Sequence, residues 1–424
     1  MVITFVLDMI GDKTNGTTVT ALRSADCLIQ LGHEVRFIAA VVGNIVPLEK
    51  KYKIFPVEHR INLYCFNSLV KKNGMVLAKL NKEDYPLVKE FLKGSDLVHI
   101  LMPFRLGCQV RTIAKIMNIP ITSAMHVQPE NISYNINLGH LSFVNSYIYH
   151  FFKTIMYKKV EYIHTPSEMM RDEMKRHHYK NKIYPISNGV SPFFDRMKVE
   201  KPEELKDKFV VLMVGRLSGE KRQDLLIKAI KHSAHEKDIQ LILLGKGPKL
   251  KKINKLSKGL TNPLINKVVD QEELKKIINY CDLYVHASDA ESEAIACIEA
   301  FSCGKVPVIS DSKVSATNHF ALDSRCLFKA GDYMSLKEKI DYFFENRDEL
   351  APLSEKYYEY GKSFSLEICV KKLEEMFYDA IDTFNEDKKE KKTYFLTRKE
   401  KICLKRAAKY AQVDEIEVLS YEKK

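Results

Sequence analysis

Two glutamates in the second half of the chain, Glu291 and Glu299, lie eight positions apart. The surrounding residues, 286–309, predict a strand, then a loop that carries Glu291, then a helix that carries Glu299. A carboxylate can accept hydrogen bonds from two adjacent sugar hydroxyls, so one acid on a ribose and one on a hexose would hold both ends of a sugar nucleotide. The alternative is a pair of solvated acids near a helix start, where negative charge suits the helix dipole.

A second candidate group is cationic. Arg216 and Lys221 fall in the loop that follows the apolar residues 209–215. Two cations there would neutralise a diphosphate and stabilise it as the bond between sugar and phosphate breaks, whereas the alternative is a solvated basic turn. Gly245 and Gly247 follow another apolar run and would let the backbone approach a nucleotide closely. Their spacing differs from the G-x-G-x-x-G dinucleotide fingerprint, which argues against a dehydrogenase.

The first half of the chain carries three candidates. Asn15 and Gly16 lie between the first predicted strand and helix, where backbone amides would face a diphosphate or an acceptor. The alternative is an Asn-Gly turn followed by a threonine cap. His126 follows the predicted strand at residues 121–125, and a histidine at the mouth of a parallel strand faces the cleft, although a lone histidine is more often structural. His99 is predicted to be buried within a strand.

These residues need a scaffold, and the chain alternates short apolar runs with stretches of helical spacing, which is typical of parallel α/β sheets. The predicted strands are residues 2–7, 35–39, 97–101, 119–124, 209–215, 239–244, 283–286 and 306–309, and the predicted helices include 19–31, 106–117 and 353–384. Residues 195–208 are charged without apolar periodicity and predict an interdomain linker. Two doubly wound domains in tandem would place a ligand cleft between the carboxyl ends of two sheets.

The order of strand, E-x7-E and A-x-x-x-G-x-x-P-V-I resembles the signature of the family 4 glycosyltransferases, which have the GT-B architecture of two Rossmann-like domains. The G-R-x-x-x-x-K block that ends at Lys221 and the G-x-G-P loop at Gly245 match further blocks of that family. The resemblance implies transfer of a hexose from a nucleoside diphosphate sugar with retention of configuration. It further implies that Glu291 faces the donor sugar, Glu299 holds the ribose, and Arg216 and Lys221 bind the diphosphate. Gly215, the first residue of the G-R-x-x-x-x-K block, is likewise expected to lie against the donor.

Other positions of the resemblance bear on the same site. The match at His126 implies contact with the donor sugar near the reacting carbon. Asn15 and Gly16 occupy the place of a glycine pair in the family. Between the two glutamates the family usually has Gly-Phe-Gly, whose amides touch the donor, and this chain has Ser-Glu-Ala at residues 292–294. The resemblance extends over residues 1 to about 377 and leaves the remainder outside it.

The expected domain organisation follows from these blocks. Residues 1–195 are predicted to form an acceptor domain and residues 196–384 a sugar-nucleotide domain, with the last helix returning to the first domain. Residues 385–424 form a basic tail in which the alternation at 413–421 predicts a short strand.

The acceptor is predicted from an apolar, aromatic stretch at residues 141–160. Such a helix could rest on an anionic bilayer and present a lipid, or it could be a core helix of the first domain. Asn131, Tyr134 and Lys153 are the predicted acceptor contacts. The N-terminal blocks and residues 315–322 look similar to bacterial enzymes that glucosylate diacylglycerol or build surface glycans. The resemblance therefore favours glucose transfer from a UDP-sugar to diacylglycerol, with a surface polysaccharide or protein glycan as the alternative acceptor.

The composition of the chain limits the expected partners and the expected location of the protein. The net charge of +12 favours phosphorylated ligands or an anionic membrane, and no nucleic-acid module is recognisable, so nucleic acid is not an expected partner. Nine cysteines without C-x2-C spacing indicate reduced thiols, and together with the lack of a leader-like start they predict a cytoplasmic protein, at the inner face of the cell membrane if the acceptor is a lipid.

No Asp-x-Asp pair follows a predicted strand, so no metal and no other cofactor is expected. Two other classes stay open: a GT-B enzyme that uses phosphate, such as a phosphorylase or an epimerase, and a non-catalytic protein that binds a glycan or a nucleotide.

Overall fold

Thirteen strands in the described part of the chain form two separate sheets. The computed structural model describes residues 1–11, 16–43, 45–61, 76–135, 138, 141–389, 402, 405–406 and 409–410. The strands are β1 (Val2–Ile10), β2 (Glu34–Val41), β3 (Lys53–Pro56), β4 (Leu97–Ile100), β5 (Ile121–Ala124), β6 (Tyr162–Thr165), β7 (Lys182–Pro185), β8 (Phe209–Val214), β9 (Ile239–Leu244), β10 (Ile265–Lys267), β11 (Leu283–His286), β12 (Pro307–Ser310) and β13 (Leu327–Phe328). The first sheet has the order β3, β2, β1, β4, β5, β6, β7 and the second the order β10, β9, β8, β11, β12, β13. All strand pairings within the two sheets are parallel.

Fourteen α-helices of the described residues connect or follow these strands. They are α1 (Gly16–Gln30), α2 (Val46–Glu49), α3 (Asp84–Leu92), α4 (Arg105–Ile116), α5 (Pro129–Asn135), α6 (Ser142–Ile155), α7 (Glu168–Arg176), α8 (Gln223–His232), α9 (Leu250–Leu256), α10 (Gln271–Tyr280), α11 (Ile295–Ser302), α12 (Tyr333–Glu345), α13 (Leu350–Lys362) and α14 (Leu366–Lys389). Short 3-10 helices lie at Tyr157–Lys159, Glu203–Leu205, Glu236–Asp238, Ala316–Phe320, Ser324–Cys326 and Arg347–Glu349.

Strand β1 is apolar because both of its faces are covered. Val6 belongs to one core cluster, whereas Phe5 and Leu7 belong to a second cluster on the opposite face. Burial on both faces is the usual reason for a continuous apolar run in a parallel sheet. The predicted end of this strand at residue 7 is wrong, because β1 continues to Ile10, which pairs with Val41 of β2 after an irregularity in the register.

The chain crosses from the first sheet to the second at Val190 and returns at Ser365, and these two residues form a parallel bridge. The prediction that residues 195–208 are an interdomain linker is therefore corrected. Leu205 is buried in the core of the second sheet, and Lys201 forms an ion pair with Asp282 at 2.6 Å. Polar composition was misleading here, because Lys201 is bound to an acid of the second domain.

The last long helix, α14, packs against the first sheet. Its residues Cys369, Leu373 and Phe377 belong to the same core cluster as Phe5 of β1, and the rings of Phe5 and Phe377 lie 6.5 Å apart. The segment predicted as one helix at 353–384 is two helices, because the chain turns between α13 and α14 to cross back. The strand predicted at residues 413–421 lies outside the described residues.

The two Rossmann-like α/β units confirm the predicted GT-B architecture. Strands β8, β9 and β11 are neighbours in the second sheet and run parallel, so their carboxyl ends meet at one edge. The loops that follow them carry the candidate cations, the candidate glycines and Glu291, and Glu299 lies in the helix that comes next. The fold thus brings together, at one edge of one sheet, groups that are far apart in the sequence.

Candidate active site

The centre of the site is an ion pair between the loop after β8 and the loop after β11. The Lys221 ammonium donates a hydrogen bond to Glu291 Oε1, and His286 Nε2 lies 3.0 Å from the same oxygen. Glu291 is 7% exposed, so this charge pair is largely withdrawn from water. The structure therefore brings into contact Lys221 and Glu291, which were predicted separately for the diphosphate and the donor sugar, and adds His286, for which the sequence predicted no role.

Backbone contacts fix the two loops against each other. The Asp289 amide donates to the Glu220 carbonyl at 2.8 Å, which ties the loop of Lys221 to the loop of Glu291. On the other side, the Ala316 amide donates to the Glu291 carbonyl at 2.8 Å. The charged side chains thus extend from loops that main-chain hydrogen bonds hold in place.

The main-chain carbonyl of Arg216 also accepts a hydrogen bond. Gln223, at the start of α8, donates from Nε2 to this carbonyl at 2.9 Å. The backbone at the predicted diphosphate cation is therefore bound to the helix that follows the loop.

The cluster determines which groups are charged. Burial by itself raises the pKa of Glu291, but the Lys221 ammonium and the hydrogen bond from His286 outweigh it, and the net pKa lies well below the usual range. Burial lowers the pKa of His286, and the neighbouring Glu291 carboxylate only partly offsets this effect. At neutral pH the site consequently holds an ionised glutamate beside a neutral histidine.

The hydrogen bonds of His286 indicate its tautomer. An ionised carboxylate only accepts hydrogen bonds, so His286 Nε2 carries the proton and donates it to Glu291. Nδ1 is then the acceptor for the Tyr284 hydroxyl at 3.3 Å. His286 ends strand β11 and is fully buried. Its position at the carboxyl end of a central parallel strand was the sequence signal that could have identified it.

The second predicted acid, Glu299, lies in α11 and faces the first domain. Its Oε1 is 3.9 Å from Arg23 Nη1, which belongs to α1. Burial raises the pKa of Glu299 to about 7, although the Arg23 guanidinium acts in the opposite direction. Arg23 was not identified in the sequence, because it lies in the other half of the chain and no local motif joins it to Glu299.

The predicted donor-binding glycines have a structural reason within the fold. A Cβ on Gly245 would lie 2.1 Å from the Gly215 carbonyl oxygen, and a Cβ on Gly247 would lie 2.3 Å from the Leu217 carbonyl oxygen. Gly215 has a φ of +154°, which side chains rarely adopt. These glycines allow the loops after β8 and β9 to pack closely, and their contact with a nucleotide stays a prediction.

In the first domain, His126 lies two residues beyond β5 and packs edge-on against His164, with ring centroids 5.1 Å apart. Burial and then the neighbouring His164 lower the pKa of His126 to about 3. The imidazole is therefore neutral at working pH and could donate a hydrogen bond to a sugar but not act as a general acid. His99 is 1% exposed within β4, which confirms its predicted burial.

Gly16 is the first residue of α1 and is exposed, with open space around the position of a Cβ. Asn15 lies outside the described residues. The predicted role of these two residues in binding a diphosphate or acceptor stays a prediction.

The three predicted acceptor residues lie on two different helices of the first domain. Tyr134 and Asn131 lie on the short helix α5. The pKa of Tyr134 is raised by burial and then by the charge of Asp289, which places its hydroxyl close to the second domain. Lys153 lies on α6 and donates to the His177 carbonyl at 3.2 Å. Tyr134 is thus at the cleft, whereas the lysine ammonium is bound to the end of α7.

Helix α6 has one buried face and one exposed aromatic face. Tyr149 and Phe152 are 0% and 3% exposed in the core, whereas Phe143, Tyr147 and Phe151 are 69%, 69% and 46% exposed. The last three lie at i, i+4 and i+8 and therefore form one stripe along the helix. The structure confirms that this stretch contains a core helix, which also presents apolar side chains to solvent, and its contact with a bilayer stays a prediction. Within the described part of the chain, no helix combines the length and apolar character needed to span a bilayer.

The fold is that of a GT-B protein, with a buried charged cluster at the carboxyl ends of β8 and β11. The family model described as Glycosyltransferase Family 4 matches residues 14–192, and the model described as Glycosyl transferases group 1 matches residues 195–364. Together the two models span most of the chain. The protein belongs to the family 4 glycosyltransferases.

The chain is also similar to individual proteins. Over 294 residues the chain is 25% identical to an uncharacterized glycosyltransferase of Methanocaldococcus jannaschii, and the match covers 68% of this chain and 77% of that protein. The structure of Anabaena HepE in complex with UDP-glucose aligns with a TM-score of 0.68 at 16% identity, over 89% of this chain and 100% of that chain. The catalytic domain of a cholesterol-α-glucosyltransferase from Helicobacter pylori is 45% identical and aligns with 37% of this chain and 99% of its own, with a TM-score of 0.36.

Proposed function

We propose that the protein transfers glucose from a uridine diphosphate sugar to the hydroxyl of a membrane lipid, with retention of configuration and without a metal ion. The observation that carries the transfer chemistry is the buried cluster of Lys221, Glu291 and His286 at the carboxyl ends of β8 and β11. A fixed cation beside a fixed anion suits a substrate that has a diphosphate next to sugar hydroxyls.

The reaction exchanges one bond for another at the anomeric carbon. The bond from this carbon to the diphosphate oxygen breaks, and a bond to the acceptor oxygen forms on the same face. The acceptor proton passes to the departing diphosphate, so no side chain has to act as a covalent nucleophile. Arg216 and Lys221 would stabilise the negative charge of the leaving diphosphate, and Glu291 would accept hydrogen bonds from the sugar.

Further residues would complete the donor site. His126 of the first domain, neutral because of its lowered pKa, would donate a hydrogen bond to the sugar near the reacting carbon. Glu299 would accept hydrogen bonds from the ribose hydroxyls. For the nucleotide base, the support is that Anabaena HepE, which shares the fold, has been seen with UDP and with UDP-glucose. A uridine diphosphate sugar is therefore the first donor to test.

The lipid acceptor is supported by the exposed stripe of Phe143, Tyr147 and Phe151 on α6. Aromatic side chains at this exposure would insert into the boundary between lipid headgroups and acyl chains. The net charge of +12 favours the approach to anionic lipids. Helix α6 contacts α5, which carries Tyr134 at the cleft, so a membrane against the stripe would lie close to the acceptor side of the site.

The test is transfer by the purified protein with UDP-, GDP- and ADP-glucose, with and without vesicles that contain diacylglycerol and an anionic lipid. Replacement of Phe143, Tyr147 and Phe151 by serine should abolish sedimentation with the vesicles and transfer to the lipid. The matched control is Ser146→Ala together with Thr154→Ala, which changes exposed polar positions of the same helix. Both variants should retain the donor affinity of the wild type, because α6 does not carry the donor site.

The outcomes distinguish the acceptors. Transfer that needs vesicles and the aromatic stripe supports the lipid acceptor. Transfer to soluble glycans at the same rate in the serine variant would contradict it and would favour a surface polysaccharide or protein glycan. Donor binding without any turnover would favour a non-catalytic binding protein.

A further inference from the structure

A third acid, Glu293, lies between the two glutamates of the site, and its hydrogen bonds lead away from the cations already described. It belongs to residues 287–294, named the donor loop here, which connect β11 to α11. Glu293 is 3% exposed, and burial raises its pKa to about 7 in spite of the hydrogen bonds that lower it. A buried carboxylate is costly unless it is well bound, so its partners indicate its purpose.

The hydrogen-bond donors to Glu293 lie in the first crossing between the domains. Its Oε1 accepts hydrogen bonds from the Ser187 hydroxyl and from the Asn188 amide, the latter at 2.8 Å, and its Oε2 accepts from the Asn188 side-chain amide. A carboxylate that accepts several hydrogen bonds, one of them from the main chain, is held in a fixed orientation.

The partners of Glu293 lie at the point where the two crossings touch. Residues 186–190 and 364–366 together form the hinge. The Val190 amide donates to the Phe364 carbonyl at 2.8 Å, and the Leu366 amide donates to the Val190 carbonyl at 2.9 Å. Gly189 has a φ of +74°, and a Cβ there would lie 2.7 Å from Leu366 Cα. The backbone that binds Glu293 is therefore closely packed and conformationally restricted.

The donor loop contains an unfavourable backbone conformation that its hydrogen bonds must hold in place. Ala294 directly follows Glu293 and has a φ of +69°, a left-handed conformation that is unfavourable for a residue with a Cβ. Helix α11 begins at the next residue and carries Glu299 in its second turn. The Ser292 carbonyl accepts a hydrogen bond from Ser167 of the first domain at 2.6 Å. Two adjacent residues of the donor loop are thus bound to segments outside the second sheet.

We propose that Glu293 couples the hinge to the donor loop, so that the arrangement of the two domains sets the positions of Glu291 and Glu299 relative to the donor. Glu293 is a positioning residue in this role, since it reaches the donor through its neighbours. Its effect on donor affinity rests on the proposed function, whereas the mechanical link between hinge and loop does not. A substitution of Ser187 should therefore change the amide exchange at the start of α11, although the two are far apart in the sequence.

The first experiment measures hydrogen–deuterium exchange without nucleotide. Glu293→Ala should speed the exchange of amides in residues 186–190 and at the start of α11, since the hinge loses its acceptor and the loop loses its anchor. Ser187→Ala should have the same effect at the start of α11. Glu272→Gln, a change of an exposed acid on α10, is the matched control and should leave both segments unchanged.

The second experiment measures UDP affinity by calorimetry and the kinetics of sugar transfer. Glu293→Ala should weaken UDP binding by about tenfold and raise KM more than it lowers kcat, in the range usual for coupled sites. Glu293→Gln should have a smaller effect. The introduced amide oxygen can accept from Ser187. Asn188 Nδ2 faces the other end of this group in the wild type. The introduced amino group can therefore donate to Asn188 Oδ1, which is buried without a hydrogen-bond partner among the described residues, once the Asn188 side-chain amide turns over.

The two experiments separate the proposals. If Ser187→Ala changes exchange only around residue 187, and folded Glu293→Ala leaves the start of α11 unchanged, the coupling is refuted. If the wild type binds no nucleotide, the proposed function fails, and the exchange measurement still decides whether hinge and loop are coupled. The coupling would be supported by accelerated exchange both in residues 186–190 and at the start of α11, together with non-additive effects of Ser187→Ala and Glu293→Ala on UDP affinity.

Discussion

Replacement of Lys221 by alanine tests the central ion pair of the site. The ammonium donates to Glu291 Oε1, and both side chains are largely buried, with 18% and 10% exposure. The change removes a cation that is held in place before the donor binds. It also leaves the Glu291 carboxylate with His286 as the remaining partner of that oxygen among the residues described above.

The expected loss follows from the charge of the leaving group. A pre-positioned donor at a developing anion contributes about 2 to 4 kcal/mol to the stability of the transition state. The variant should therefore lose a factor of about 30 to 900 in kcat/KM. The loss should grow at lower pH, because burial of Glu291 is no longer offset by the ammonium. Its pKa then rises, and the carboxylate is protonated at a higher pH than in the wild type.

The assay is release of UDP and formation of glycoside over a range of pH, with circular dichroism to verify that the variant is folded. Lys221→Arg keeps the charge and should lose less activity. Lys255→Ala, an exposed lysine on α9, is the matched control and should behave as the wild type. Glu291→Gln and the variant that combines it with Lys221→Ala complete a double-mutant cycle. The two losses in kcat/KM should not be additive in free energy, because the two residues would act on one substrate through one ion pair.

A folded Lys221→Ala protein with unchanged kcat/KM would refute the assignment of this lysine to the leaving group. Additive losses in the cycle would show that the two residues act independently. A pH profile identical to that of the wild type would show that Glu291 is not the ionised partner of the substrate.

Two further predictions concern the metal and the ribose. If Arg216 and Lys221 take the place of a divalent cation at the diphosphate, as proposed, an excess of EDTA should leave the transfer rate unchanged. Loss of activity restored by Mg²⁺ or Mn²⁺ would contradict this. The KM for the donor should fall as pH rises through about 7, because Glu299 ionises there and its carboxylate binds the ribose hydroxyls better. Glu299→Gln should reduce this pH dependence and weaken donor binding by about 1.5 to 3 kcal/mol. A donor KM that varies with pH as in the wild type would assign the titration to another group, and Glu293, whose pKa burial also raises to about 7, is the first to test.

Much of the scaffold could be predicted from sequence, because its signals are local. The apolar runs at β8, β9 and β11 are long enough to identify buried strands, and the polar residues that follow them must lie where parallel strands end. This reasoning was sufficient to bring Lys221 and Glu291 to one edge of one sheet. The double α/β organisation could be predicted for the same reason, since each unit is built from short-range strand and helix patterns.

Other features could not be predicted, because their causes are contacts between distant parts of the chain. The charges of residues 195–208 indicated a linker, whereas Lys201 is bound to Asp282 in the second domain. Helix α6 showed aromatic residues on several sides, and only the packing of Tyr149 in the core determines that Phe143 and Tyr147 face solvent.

The sequence by itself determined the two-domain fold, the family and the location of Lys221 and Glu291 after neighbouring strands of one sheet. The tertiary structure decided how these residues are paired: His286 with Glu291, Arg23 with Glu299, and Glu293 with the hinge. The physical reason is that strand and helix patterns arise from neighbours within a few residues. The charge state and orientation of a buried side chain depend instead on burial and hydrogen bonds supplied by segments that only the folded chain brings together.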